Sequence, residues 1–296
     1  MFNILLAKNR GFCSGVKNAI RIAEKALKKS STIYTLNDIV HNTHVVNELK
    51  KRGLKKVKSF LFIPKGSTIL FSAHGVPPSY YKKAKNKKLK IIDATCPLVK
   101  KVHHEAQKYI SKGYKIIYYG KKNHVEAKGV ISDFKKSFYI IEEKKDIKKL
   151  PSKLDNVIFL TQTTMDIQES QEILKRLKIK YPNIKQPNKA GICYATFNNQ
   201  KAVIDLAKKA DLILVIGSKH SSNSNRLVER ARKEGIPSYL IDSPKDIKKK
   251  WLRKDVASLP CEALREAGLR LSIGITAGAS APESIVKQVI NHLKQS

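Results

Sequence analysis

Ile91-Ile92-Asp93-Ala94-Thr95-Cys96-Pro97 is a short apolar run that ends in a cysteine and then a proline. A helical pattern follows at once, Leu98-Val99-Lys100-Lys101-Val102-His103-His104-Glu105-Ala106. That order sets a thiol at the carboxyl end of a strand and the amino end of a helix. Proline suits the first helical turn, where its missing N–H leaves no bond unmade. The helix dipole favours negative charge at that end, so the thiol is expected to ionise easily. By itself Cys96 is ambiguous, because an isolated cysteine is more often a small buried hydrophobe than a ligand or nucleophile.

The same alternation of short apolar runs and longer helical patterns extends in both directions. Strands are expected at 3–7, 32–36, 68–71, 114–119, 138–141, 156–160, 212–216, 239–242 and 271–276. Helices are expected at 16–28, 43–52 and 199–208, in a lysine-rich segment before residue 90, up to residues 178 and 234, and at the end of the chain. Residues 120–126 read as a loop. This is the pattern of an α/β chain with parallel strands. Cys13, Cys96 and Cys193 recur at similar intervals, each at the start of a helix. The spacing suggests a unit of about a hundred residues used three times. The expected units are residues 1–95, completed by the strand and helix of 271–296; residues 96–192; and residues 193–270. The polar, glycine-rich and histidine-bearing loops nearly all follow a strand and precede a helix, which is the ligand-binding edge of an open α/β sheet.

Composition narrows the class. The chain of 296 residues is 42% hydrophobic, enough for a globular core. It has no apolar run long enough to cross a bilayer, and its first residues read as a strand and not a signal peptide. Four cysteines in this length do not make a disulfide framework, so a reducing cytoplasm is expected. The net charge of +35 raises the question of a nucleic-acid partner. However, only ten of the basic residues are arginine, and the lysines are spread over nearly every helix. That dispersion favours a lysine-biased composition over a nucleic-acid surface, so no specific nucleic acid and no membrane partner are expected.

Three thiols in one strand–cysteine–helix context weaken the reading of each as an incidental core residue. There is no Cys-x-x-Cys, and the close triplet of a ferredoxin is absent. Three converging thiolates would suit an iron–sulfur cluster with one iron left without a protein ligand. Cys261, in a poorly patterned stretch, is read as structural. His41, His74 and His124 each follow a strand and could ligate metal or donate to an anion; capping or core roles remain open for each. Glu126 is either a proton donor whose affinity burial has raised or a solvated surface acid. Ser221-Ser222-Asn223-Ser224 and Ala279-Ser280 precede helices, so they form either an anion cradle or ordinary helix caps. Thr161-Gln162-Thr163-Thr164 carries the same ambiguity, and Gly217-Ser218-Lys219 lacks the glycine spacing of a P-loop.

Eight motifs in order, from Arg10-Gly11-Phe12-Cys13 through Val40-His41-Asn42, Ser72-Ala73-His74-Gly75, Asp93-Ala94-Thr95-Cys96-Pro97, Thr161-Gln162-Thr163-Thr164, Ile192-Cys193-Tyr194-Ala195-Thr196 and Ser221-Ser222-Asn223-Ser224-Asn225-Arg226 to Thr276-Ala277-Gly278-Ala279-Ser280-Ala281-Pro282, resemble the motif series of the 4-hydroxy-3-methylbut-2-enyl diphosphate reductase family. The series covers nearly the whole chain. The resemblance implies three α/β units with mostly parallel sheets around a pseudo-threefold axis and one [4Fe–4S] cluster at the centre. It implies Cys13, Cys96 and Cys193 as iron ligands, with one iron left for the substrate. It further implies His41, His74, His124, Ser221, Ser222, Asn223 and Ser280 around the diphosphate. Thr163 and Glu126 would lie near the substrate hydroxyl, with Glu126 starting proton delivery. The implied activity is reductive removal of that hydroxyl, the last step of the non-mevalonate isoprenoid route, with electrons from a carrier such as flavodoxin or ferredoxin.

Three departures stand out. Val125 replaces a proline usual in the family, which implies a looser loop and a less settled Glu126. His220 replaces an asparagine, either adding a phosphate donor or capping the loop. Residues 252–271 form a segment longer than the family usually has. The nearest rival is another three-cysteine cluster enzyme of quinolinate synthase type, which should not need a diphosphate cradle.

Overall fold

The structure is a computed structural model that describes residues 2–187, 191–252 and 271–295. Most of the long segment after Leu252, Cys261 included, lies outside the described residues. The chain divides into two compact units. A terminal unit combines residues 1–13 with 194–296, and a middle unit spans residues 14–193.

The terminal unit is built on one four-stranded sheet. Its strands are β1 (Asn3–Leu6), β9 (Leu212–Ile216), β10 (Ser238–Ile241) and β11 (Ser272–Ala277), in the order β1-β11-β9-β10, all parallel. Helices α7 (Tyr194–Ala207), α8 (Ser222–Lys233) and α9 (Glu283–Gln295) cover it. Alternation along β9 decides which face each residue serves. Leu212, Leu214 and Ile216 pack with Ile285, Val286 and Val289 of α9. Ile213 and Val215 pack with Val203 and Leu206 of α7 and Leu227 and Val228 of α8. A parallel strand covered on both faces is apolar throughout, which is why Leu-Ile-Leu-Val-Ile has no polar alternation. Each such side chain contributes roughly 1.5–3 kcal/mol by leaving water.

The middle unit carries two parallel sheets. One consists of β2 (Ile33–Thr35), β3 (Leu54–Lys56), β4 (Thr68–Phe71) and β5 (Lys90–Asp93), in the order β3-β2-β4-β5. The other consists of β6 (Lys115–Tyr119), β7 (Phe138–Ile141) and β8 (Val157–Thr161), in the order β7-β6-β8. Its helices are α1 (Ser14–Leu27), α2 (Thr43–Lys51), α3 (Pro78–Asn86), α4 (Pro97–Ile110), α5 (Val125–Ile131) and α6 (Ile167–Lys180). One face of the β6 sheet packs on Ile173 and Leu177 of α6. The other packs on Val102 and Ala106 of α4 and Ala127, Val130 and Ile131 of α5.

The fold class is the one expected, α/β with three sheets in which every described pairing is parallel. Cys13 and Cys193 immediately precede α1 and α7, and Cys96 is the cap of α4. The expected first unit, residues 1–95 with 271–296, is divided differently. Strand β11 is buried over five of its six residues and takes a neighbour on each edge, β1 on one side and β9 on the other. The N-terminal strand therefore joins the sheet of β9 and β10, and strands β2 to β5 form a sheet of their own. Strand β3 escaped the sequence pattern because only Leu54 of its three residues is buried. Helix α7 begins five residues before its expected start, since Thr196, Asn199 and Gln200 on its buried side are polar. Among the described residues no helix is long and apolar enough to cross a membrane.

Candidate functional site

In the middle unit, three loops that follow strands bring their histidines together. The His41 and His74 rings stack with centroids 4.0 Å apart, and His124 meets them edge-on at 5.1 Å and 6.0 Å. His124 also caps α5, its Nδ1 accepting the Glu126 N–H at 3.2 Å. That bond places the ring proton on Nε2, which is buried and has no hydrogen-bond partner. Burial, followed by the neighbouring His41, pushes His124 down to about 3. Burial and the charges His41 and His124 would carry hold His74 well below the ordinary histidine range. His74 and His124 are therefore neutral at pH 7 and can donate hydrogen bonds to an anion.

The His74 loop turns on Gly75, whose φ of +78° favours glycine. A Cβ there would lie 2.9 Å from His103 Nε2 and 3.1 Å from Val99 Cγ1. His103, unremarked in the sequence, thus abuts the loop; burial lowers it to about 4.

Glu126 stands in the first turn of α5, not in a loop, and is 2% exposed. Its carboxylate accepts the Thr163 N–H at 2.8 Å and the Thr163 hydroxyl at 2.9 Å. Both bonds favour the charged form, but burial dominates and raises Glu126 to about 7. The solvated-acid reading is therefore excluded by burial. Val125 in place of proline does not loosen the position, because it serves as the first residue of a helix whose cap and second residue are both bonded.

Thr163 also joins Glu126 to a thiol. Its carbonyl accepts the Cys193 N–H at 2.9 Å. Cys96 is partly exposed, within electrostatic reach of both Cys193 and Glu126. Easy ionisation of Cys96 is not what the structure supports. Burial raises its pKa; the Leu98 and Val99 N–H groups lower it, but Cys193 and Glu126 add to the rise. The turn leading to Cys96 is held by Asp93, which accepts the Thr95 N–H at 2.9 Å and the Tyr81 hydroxyl at 3.0 Å. Burial opposes the Asp93 charge, but Lys100 at 2.7 Å, with Thr95 and Tyr81, holds its pKa below the ordinary value.

In the terminal unit the remaining candidates gather at the carboxyl ends of β9 and β11. Ser221 caps α8, and Ser222 and Asn223 form its first turn, with their N–H groups at the positive end of the helix dipole. Asn223 is 3% exposed, and both atoms of its side-chain amide are buried without a partner. Such an orphaned pair is rare unless a ligand completes it. Ser280 follows β11, and the Cys13 N–H donates to Ala279 O at 3.1 Å, tying the first cysteine to the Ser280 loop. Arg10 bonds Glu283 at 2.7 Å on the same side. His220 is exposed, and its N–H donates to Ser218 Oγ at 3.2 Å, so its backbone caps the loop. Ser224, the last residue of Ser221-Ser222-Asn223-Ser224, donates to Ser221 Oγ.

Cys13, Cys96 and Cys193 are each partly exposed. Among the described residues no three His, Cys, Asp or Glu side chains gather closely enough to hold a single metal ion. Cluster cysteines each bind a different iron, so they stand farther apart than the ligands of one ion. In the middle unit the soft sulfur donors Cys96 and Cys193, at half-buried helix starts near a buried carboxyl, fit part of an iron–sulfur ligand set.

The profile of the LytB protein family matches residues 4–294. The 4-hydroxy-3-methylbut-2-enyl diphosphate reductase of Actinobacillus pleuropneumoniae serotype 3 (strain JL03) is 46% identical, over 99% of this chain and 90% of its own length. The protein of the same name from Wigglesworthia glossinidia brevipalpis is 46% identical with the same coverage. The solved structure of the E-1-hydroxy-2-methyl-but-2-enyl-4-diphosphate reductase from Plasmodium falciparum superposes with a TM-score of 0.90 at 35% identity, covering 99% of this chain and 88% of that one.

Proposed function

The chain belongs to the LytB protein family, and on that premise we propose that it catalyses the reaction its relatives are named for, the reduction of 4-hydroxy-3-methylbut-2-enyl diphosphate. Two electrons and two protons remove the substrate hydroxyl as water and leave isopentenyl or dimethylallyl diphosphate. A full-length match to this family, together with a built anion cradle, favours this reading over a cluster enzyme of quinolinate synthase type.

The observation that carries the reading is the Glu126–Thr163–Cys193 series of hydrogen bonds. A carboxyl with a pKa of about 7 can give up a proton and recover it at neutral pH. It is bonded to the residue that also holds one of the three cysteines. One [4Fe–4S] cluster on Cys13, Cys96 and Cys193 would supply electrons and a Lewis-acidic iron. Glu126 delivers the proton to the departing hydroxyl, and Thr163 orients both carboxylate oxygens. His124, through Nε2–H, and His74 donate to the diphosphate as neutral imidazoles, and His41 stacked on His74 completes that side of the site. Ser221, Ser222, Asn223 and Ser280 donate to it from hydroxyls, the amide and the start of α8. The electron donor is a small acidic carrier of flavodoxin or ferredoxin type. A cluster on reduced thiolates implies a reducing compartment, the cytoplasm.

Anaerobic purification followed by iron and sulfide counts and an assay on the hydroxylated diphosphate tests the reading. Cys96→Ser should lose iron and its visible absorption. Normal iron content in that variant, or no turnover of the diphosphate by the iron-loaded wild type, would remove the corresponding assignment.

A further inference from the structure

The phosphate cradle of the terminal unit contains a residue with no assigned role. Ser224 is 1% exposed, on the first turn of α8. Its hydroxyl is enclosed by two glycines from different loops. A Cβ on Gly217, just after β9, would lie 2.1 Å from Ser224 Oγ. A Cβ on Gly278, just after β11, would lie 2.0 Å from it. Those strands are neighbours, and the Gly278 N–H donates to Ile216 O at 2.8 Å. Ser224 therefore sits where the Ser221 loop and the Ser280 loop come together, at positions that only glycine can occupy.

Hydrogen-bond accounting gives the hydroxyl a purpose. Ser221 Oγ accepts the Ser224 N–H at 3.3 Å and the Ser224 hydroxyl at 3.0 Å. A serine oxygen has two acceptor lone pairs and one proton. With both lone pairs filled from Ser224, the Ser221 proton has to point elsewhere, and no lone pair is left to face an anion. We propose that Ser224 is a positioning residue that makes Ser221 an obligate hydrogen-bond donor to the substrate diphosphate and pins the two cradle loops at a fixed spacing. The proposal rests on the function proposed above for the substrate's identity, but the Ser221–Ser224 coupling requires only a diphosphate anion.

Without the Ser224 hydroxyl, Ser221 is free to turn its proton inward and present a lone pair to the anion. Ser224→Ala should therefore raise KM about tenfold, the lower end of what one lost hydrogen bond to a charged group costs. Its kcat should stay within about twofold, since no reacting atom is touched. Ser221→Ala should raise KM about tenfold, and the double variant should match Ser221→Ala alone, because Ser224 acts through Ser221. A merely structural Ser224 would instead lower the thermal midpoint and multiply the Ser221→Ala effect. Ser224→Cys, which keeps the shape and weakens the donor, serves in its place if the alanine variant melts below assay temperature. Kd for inorganic diphosphate is measured for the same four iron-loaded proteins. A wild type that binds diphosphate without turning over the hydroxylated substrate would overturn the functional reading, and the coupling is then read from those Kd values. Unchanged KM and Kd in Ser224→Ala, or independent effects in the double variant, would overturn the role given to Ser224.

Discussion

Thr163 holds both carboxylate oxygens of Glu126, one through its N–H at 2.8 Å and the other through its hydroxyl at 2.9 Å. Two donors from one residue fix the plane of the carboxyl, yet the group still has a pKa of about 7 because it is buried. Thr163 steers Glu126, and burial sets its proton affinity.

That balance predicts a pH profile. Protonated Glu126 is the donor, so kcat should fall as pH rises through about 7. Glu126→Gln should retain iron and substrate binding while losing turnover by at least about a hundredfold. Wild-type rates in that variant would remove Glu126 from the mechanism.

Stability should show the same burial. A carboxyl raised from 4.5 to about 7 binds its proton more tightly in the folded chain, so ionising it above about pH 7 costs stability. The difference amounts to about 3 kcal/mol at pH 8 and nothing at pH 4. Chemical denaturation of Glu126→Gln should therefore show a gain over the wild type at pH 8 that vanishes at pH 4.

The buried histidines act in the opposite sense. His103 and His124 titrate at about 4 and about 3 in the folded chain, and His74 lies well below the ordinary value. The unfolded chain protonates near pH 6.5, so the stability they contribute is present above that pH and is lost on acidification. His103 and His124 should each cost about 2 kcal/mol by pH 5, and His74 adds in the same direction. Thermal melts should fall between pH 6.5 and 5, and His103→Gln should flatten the fall. A melt independent of pH over that range would contradict neutral His74, His103 and His124 in the folded chain.

Gly75→Ala and Gly113→Ala separate backbone strain from contact. Both glycines have similar φ, +78° and +77°, so each substitution costs about 1–2 kcal/mol for the left-handed backbone. Nothing lies within 4 Å of a Cβ on Gly113, whereas one on Gly75 meets His103 Nε2 at 2.9 Å. Gly75→Ala should be the more destabilising, and it alone should raise KM, by displacing His74.

The net charge of +35 should speed docking of an acidic electron carrier. Its reduction rate should fall as ionic strength rises from 0.01 to about 0.15 M, where the Debye length shrinks from roughly 30 to 8 Å. Reduction by a cationic viologen should not fall with it.

Local patterning in the sequence determined the α/β class, the cysteines at the starts of helices and the loops that carry His41, His74, His124, Ser221 and Ser280. These features depend on strand and helix periodicity and on helix-start chemistry, which act over a few residues. Tertiary structure alone decided that β1 joins β11, because β11 is buried and needs partners on both edges. It also decided that Glu126 is buried and titrates near neutrality, and that Cys96 is harder to ionise than its helix position implied. Desolvation is set by what distant segments pack around a group, such as Thr163 against Glu126, and no spacing along the chain encodes it. The role of Ser224 within its motif has the same origin: the space its hydroxyl fills exists only where Gly217 and Gly278, sixty-one residues apart, follow neighbouring strands.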